Sequence, residues 1–308
     1  MDLIRTPPGR CSRPRQLAAS AAAPPASVSL AALALPCRLP THAAAPSPQR
    51  IRRLRRGLRL RDARASSLGG EEEARRPPRL LCLHGFRTSA EIMRRQVVGR
   101  WPEEVTSRLD LVFADGPFLA EGASPVADIF DPPYYEWFQF VGKVSGGQDP
   151  IECRNLDMCL SYLEELMIRE GPFDGLLGFS QGAVVSAVLT GLQEQGLAFN
   201  GLAKVKCVMV MSGGKIQAPP AAARAFASKI MCPSLHFIGD NDFTKAHGEE
   251  LVEAFADPLV IRHPAGHTVP KLDDKGLQIM LTYLDKIERE IWEHSSTDAK
   301  IMASNSEG

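Results

Sequence analysis

From Arg79 onward, short runs of consecutive apolar residues alternate with longer stretches whose apolar positions recur every three or four residues. The runs are Leu80–Leu83, Leu109–Ala114, Leu176–Phe179, Val205–Met211, Leu235–Ile238 and Leu259–Ile261. A strand with no polar face is one covered on both sides, as in a parallel sheet buried between helices. The stretches between them predict helices over Ala90–Arg100, Pro150–Glu170, Gln181–Gln195, Ala221–Ala227, Thr244–Phe255 and Lys271–Trp292. In the last of these, Leu277, Leu281, Leu284, Ile287 and Ile291 share one helical face. Strand–helix–strand alternation of this kind builds right-handed crossovers. The chain therefore reads as one α/β domain over residues 77–294, with helices on both faces of a mostly parallel sheet and a loose polar tail over 295–308.

One segment breaks the alternation. Residues 118–140 hold Phe118, Phe130, Tyr134, Tyr135, Trp137, Phe138 and Phe140, seven of the chain's twenty aromatic residues, interrupted by Pro132 and Pro133. Proline argues against a regular helix there. The aromatics either pin a loop onto the core or form an apolar wall beside a ligand pocket, with Tyr135, Trp137 and Phe138 as the candidate wall.

The net charge of zero hides an asymmetry. Residues 1–70 carry 13 Arg, no Lys and only Asp2 and Asp62, a balance of +11; the remaining 23 basic and 34 acidic groups give the body −11. An acidic body offers no electrostatic footprint for nucleic acid, and composition excludes a collagen-like chain and a multi-pass membrane protein. The leader, residues 1–76, is rich in Ala, Pro, Arg and Ser, and its first 70 residues contain no aromatic residue. It cannot bury enough apolar surface to order itself. Leu17–Leu35 is broken by Pro24 and Pro25, so no spanning helix and no integral membrane association is expected. The acid-poor, Arg-rich pattern fits an organelle transit peptide, chloroplast ahead of mitochondrion, better than a secretory signal. A leader without an address would leave the protein in the cytoplasm. Seven cysteines without a C-x-x-C spacing imply neither a disulfide framework nor a metal site; Cys82, Cys207 and Cys232 sit in or beside apolar runs as small core residues.

The chemistry concentrates in three places. Gly178-Phe179-Ser180-Gln181-Gly182 is a G-x-S-x-G motif between a predicted strand and a predicted helix. In that context the serine stands on a sharp turn above the sheet, and small residues are needed two before and two after it. Ser180 is the candidate nucleophile. It needs an oriented base, and two later loops supply candidates in the required order. The first, Gly239-Asp240-Asn241-Asp242, offers Asp242, with Asp240 as the alternative. The second, Arg262-His263-Pro264-Ala265-Gly266-His267, offers His267 after a flexible glycine. His263 reads as a loop-shaping residue and His236, inside an apolar run, as a core histidine. Pro264 and Gly266 argue against a helical His263/His267 metal pair, so no metal is expected. The backbone amides of Gln181 and Phe86 are the candidate donors to an oxyanion, Phe86 because Gly85 permits a tight turn after the first strand.

These motifs, together with Leu81-Cys82-Leu83-His84-Gly85-Phe86-Arg87-Thr88-Ser89 and Gly266-His267-Thr268-Val269-Pro270, resemble the FSH family of serine hydrolases. The resemblance covers about residues 78–290. It implies an α/β-hydrolase without a large lid domain and a Ser180–Asp242–His267 triad. It further implies hydrolysis of small carboxylic esters with an apolar acyl chain, without a cofactor. A small-molecule receptor, or a thioesterase or lactonase on the same scaffold, is the alternative.

Overall fold

The structure, a computed structural model, describes residues 76–141, 152–216 and 220–306. All of the Arg-rich leader except Arg76, the start of the helix predicted from Pro150, and residues 307–308 lie outside the described residues.

In chain order the elements are β1 (Arg79–Leu83), α1 (Ala90–Val98), α2 (Glu103–Thr106), β2 (Asp110–Ala114), β3 (Phe118–Leu119), β4 (Tyr135–Glu136), β5 (Gln139–Val141), β6 (Glu152–Arg154), α3 (Leu156–Glu170), β7 (Gly175–Phe179), α4 (Gln181–Glu194), β8 (Cys207–Met211), α5 (Pro220–Ala225), β9 (Ser234–Gly239), α6 (Lys245–Val252), β10 (Leu259–His263) and α7 (Asp274–Ser306). Six strands form one sheet in the order β10-β9-β8-β7-β1-β2, every neighbouring pair parallel. This is the α/β architecture expected from the apolar runs. No lid domain is apparent among the described residues.

The pleat explains why the runs are apolar throughout. Successive strand residues point to opposite faces, and each face has its own core. Leu81, Leu83, Leu176, Val208 and Val210 join α3, α4 and α5 on one side. Leu80, Cys82, Leu177, Met209 and Met211 join α1 and α7 on the other. Cys82, Cys153, Cys159, Cys207 and Cys232 are free and buried. Burial pushes the Cys82 and Cys207 thiols well above their ordinary pKa. The buried stripe of α7 runs through Met280, Tyr283, Leu284, Ile287 and Ile291, while Leu277 and Leu281 are only partly covered.

Three differences from the sequence reading have physical causes. The helix predicted from Pro150 begins at Leu156, because Glu152–Arg154 are taken into a two-stranded antiparallel ribbon with Gln139–Val141. The aromatic segment likewise holds short strands, with Phe118–Leu119 pairing against Tyr135–Glu136. The last helix continues to Ser306, into the segment read as a loose polar tail. Extending a nucleated helix fixes one residue per hydrogen bond gained, so a polar sequence can prolong it.

The strand order places the site. The chain leaves β1 for β2 on one side and returns to β7 on the other, so the loops after β1 and β7 diverge between neighbouring strands. Such a reversal opens a crevice at the carboxyl ends of the strands. The loops after β9 and β10 end at the same edge.

Candidate active site

Ser180 links β7 to α4 with φ 52° and ψ −113°, a region that non-glycine residues rarely adopt. The turn is held by the Ser180 amide, which donates to the Met211 carbonyl at 2.8 Å, and by the Gly182 amide, which donates to the His84 carbonyl at 3.1 Å. A side chain at Gly178 would collide with the Ala183 backbone, and one at Gly182 with the Leu83 carbonyl. Both glycines are therefore required by close approach of backbone.

Loops more than sixty residues downstream bring the partners. His267 Nε2 lies 2.8 Å from Ser180 Oγ, and its Nδ1 lies 2.9 and 3.2 Å from the two oxygens of Asp242. The carboxylate at 242 is 1% exposed, the imidazole 21%. The Thr244 amide and hydroxyl both donate to Asp242 Oδ1 at 2.8 Å. Desolvation raises the pKa of this carboxyl. The opposing hydrogen bonds from His267 and the Thr244 amide, with the Ser212 hydroxyl close by, outweigh it and hold the group well below the usual carboxylate range. Asp242 thus stays ionised and fixed. The alternative carboxylate, Asp240, points to solvent and meets Lys245 Nζ at 3.1 Å. The histidine loop is tied at both ends. Asn241 Nδ2 donates to the Pro264 carbonyl at 2.7 Å, and Arg100 Nη1 donates to Thr268 Oγ1 and the Val269 carbonyl.

His263 ends β10, 5% exposed, and neither ring nitrogen has a hydrogen-bond partner. Burial lowers its pKa, against the pull of Asp242 and Asp240. His236 is buried within β9, its Nε2 3.1 Å from Ser234 Oγ.

The loop that carries Phe86 packs against the turn that carries Ser180 and Gln181. A side chain at Gly85 would strike the Phe179 ring and reach within 3.5 Å of Ser180 Cβ, so the loop after β1 lies directly against the hydroxyl-bearing turn. The amide of Gln181, first in α4, has no intrahelical acceptor. Beneath this loop, His84 Nε2 accepts from the Gly116 amide at 3.0 Å, and its Nδ1 lies 2.7 Å from the Gly85 carbonyl. The pair of contacts assigns the neutral tautomer protonated on Nδ1. Desolvation accordingly lowers the His84 pKa to about 4.

Of the three aromatic residues expected at a pocket wall, only Tyr135 keeps exposed surface; Trp137 and Phe138 are fully buried. The Trp137 indole donates to the His84 carbonyl at 2.8 Å, and its amide donates to Gln181 Oε1 at 2.9 Å. Gln181 Nε2 donates to the Phe138 carbonyl at 2.7 Å. The Trp137 indole and the backbone of both residues brace the turns around Ser180, and both rings lie within the core. Sequence reading also missed a part-buried ion pair behind the β1 loop: Arg87 Nε donates to Glu136 Oε1 at 2.7 Å, with the guanidinium over the Phe86 ring. Forty-nine residues separate the partners, so no local pattern announces them. Phe243, beside Asp242 and in contact with the imidazole, was missed too. Among the described residues no group of three or more His, Cys, Asp or Glu side chains is arranged to hold a metal ion.

A parallel sheet in this order, with a serine turn after β7 and the carboxylate and imidazole in the loops after β9 and β10, defines an α/β-hydrolase. A family profile described as Serine hydrolase (FSH1) matches residues 74–279, and the chain belongs to that family. It is 30% identical to human Esterase OVCA2 over 226 residues, 69% of this chain and 98% of the relative. It is also 30% identical to Rhodanese-like domain-containing protein 6 of Arabidopsis thaliana, over 65% of this chain but 37% of that longer protein. Among solved structures, a carboxylesterase from Mesorhizobium loti aligns with 71% of this chain and 92% of its own at 18% identity and a TM-score of 0.46.

Proposed function

We propose that this serine hydrolase cleaves small carboxylic esters with an apolar acyl group through an acyl-enzyme on Ser180. The observation that carries this reading is the continuous contact from Ser180 Oγ through the His267 ring to Asp242. His267 Nε2 takes the hydroxyl proton as Oγ attacks the ester carbon. Asp242, ionised, holds Nδ1 protonated and stabilises the imidazolium. The amides of Phe86 and Gln181 receive the oxyanion. The proton passes to the departing alcohol, and water then attacks the acyl carbon with His267 again as base, releasing the acid and regenerating Ser180. Each step is balanced by groups of this chain and water alone. The esterase relatives, human Esterase OVCA2 among them, support an oxygen ester as the substrate. The Phe86 and Phe140 rings, 6.0 Å apart beside the β1 loop, support an apolar acyl group.

The test is turnover of a short-to-long series of p-nitrophenyl esters by purified protein and its Ser180→Ala variant. Turnover is expected to fall by at least about 10⁴ in the variant, with the unfolding midpoint retained. Comparable turnover by both proteins sinks the proposal.

A further inference from the structure

Only the first half of the proposed reaction contains the alcohol. The Ser180 Oγ–carbon bond forms, the carbon–oxygen bond to the alcohol breaks, and the proton that Oγ gave to His267 Nε2 goes to the departing oxygen. That oxygen must come within hydrogen-bond reach of Nε2, so the body of the alcohol lies beside the imidazole. Among the described residues, two aromatic rings contact that imidazole. One is Phe179, buried, with its centroid 5.2 Å away; the other is Phe243, 72% exposed, at 4.5 Å. Single exposed apolar side chains are ordinary on protein surfaces, so exposure alone argues nothing. Its attachment does. Phe243 stands between Asp242, which His267 Nδ1 contacts, and Thr244, whose amide and hydroxyl grip Asp242 Oδ1. The backbone on either side of the ring is thus anchored to the residues that contact His267, and the phenyl ring packs against the imidazole that must protonate the leaving group, 4.5 Å between centroids.

We propose that Phe243 forms the subsite for the departing alcohol and makes the enzyme selective for esters of apolar, aryl or alkyl, alcohols. This rests on the acyl-enzyme reading above. An apolar alcohol removes part of the exposed ring from water as the reaction proceeds, whereas a small or polyhydroxylated one does not. Because the alcohol is absent from deacylation, the ring acts on the acylation half alone.

The experiment is a competition between the benzyl and methyl esters of one short fatty acid, mixed at equal concentration with full-length protein and followed by chromatography. Both esters pass through the same acyl-enzyme, so their relative consumption reports the ratio of kcat/KM values for the alcohol portion. That ratio does not depend on how much protein is active. Phe243→Ala is expected to lower the benzyl-to-methyl ratio about tenfold, the scale of one apolar contact at a specificity site; Phe243→Leu is expected to keep most of it. An unchanged ratio in Phe243→Ala, however slow the turnover, overturns the proposal and leaves the ring as a brace for His267. Turnover that survives Ser180→Ala overturns the acyl-enzyme reading, and this inference with it.

Discussion

Ser180 carries backbone strain of about 1–3 kcal/mol at its positive φ, and the structure holds it there through neighbours that leave no room. Gly182→Ala would drive a methyl group into the Leu83 carbonyl. It is expected to lose activity and to cost several kcal/mol of stability, about 4 or more, read as a lowered urea midpoint. Asp242 and Asp240 provide the sharpest comparison between residues. Asp242→Asn is expected to reduce kcat by about 10³–10⁴, because an amide cannot hold His267 in the required tautomer. Asp240→Asn removes only an exposed contact to Lys245 and is expected to stay within about twofold of wild type. Steady-state kinetics on one ester separates the pair; equal losses would refute the different roles given to the two carboxylates. The proximity of Ser180, Asp242 and His267 is legible in the sequence because each ends or follows a recognisable strand and glycine marks each turn. Phe243 is not legible, since an aromatic between two polar residues has no periodic signature. Its meaning comes only from a histidine twenty-four positions away.

The β4 and β5 strands connect the oxyanion candidates to the rest of the molecule. Thr88 bridges to Tyr135, Arg87 pairs with Glu136, and Gln181 grips the backbone of Trp137 and Phe138. Arg87→Ala would leave Glu136 buried without its cation, a change that costs about 3–5 kcal/mol, and would loosen the loop that carries the Phe86 amide. Arg87→Ala/Glu136→Leu should recover much of the stability in urea titrations, because the orphaned charge is gone, while kcat stays low because the tether is gone. Recovery of both would mean that the ion pair does not position the loop. These elements also mark where sequence reading stops. The six sheet strands are legible because burial on both faces writes an unbroken apolar run. The ribbons of β3 to β6 are two or three residues long and draw their pairing from distant partners, so periodicity has nothing to register. Trp137 and Phe138 are likewise visible as an aromatic cluster, but composition does not say whether such a ring faces a ligand or the core. Here both are fully buried, and the Trp137 ring is turned inward by its indole bond to the His84 carbonyl.

Folding the whole chain buries histidines that must stay neutral, and this sets its response to acid. Burial lowers the pKa of His84 from its ordinary 6.5 to about 4 and that of His236 to about 3; His263 is shifted in the same direction. A lowered histidine pKa means that, below about pH 6.5, the unfolded chain takes up protons that the folded chain refuses. Stability should therefore fall ever more steeply with acidity, approaching about 1.4 kcal/mol per pH unit for each such histidine, until the folded group itself titrates. Asp242 does not contribute in this window: its folded pKa lies below the ordinary carboxylate value of 3.8, so its stabilisation is complete above that pH and fades only as pH falls further. From pH 6.5 to 5 the His84 and His236 terms together amount to about 3 kcal/mol, a large share of the 5–15 kcal/mol typical of a domain. The two histidines can be told apart. His84 is bound on both ring nitrogens beneath the β1 loop, and changing it disturbs the site. His236 lies within β9 with its ring edge-on to Phe255, 4.9 Å between centroids. His236→Phe keeps an aromatic ring in that contact and removes the titration. It leaves the Ser234 hydroxyl without its imidazole partner, which lowers stability equally at every pH and so leaves the slope untouched. Urea unfolding at half-unit steps from pH 7 to 5 should give a plot of stability against pH that is on average about 1 kcal/mol per unit flatter in the variant, with the difference steepest at the acid end. An identical slope in both proteins would mean that His236 accepts its proton in the folded state, and that burial within β9 does not exclude the charge.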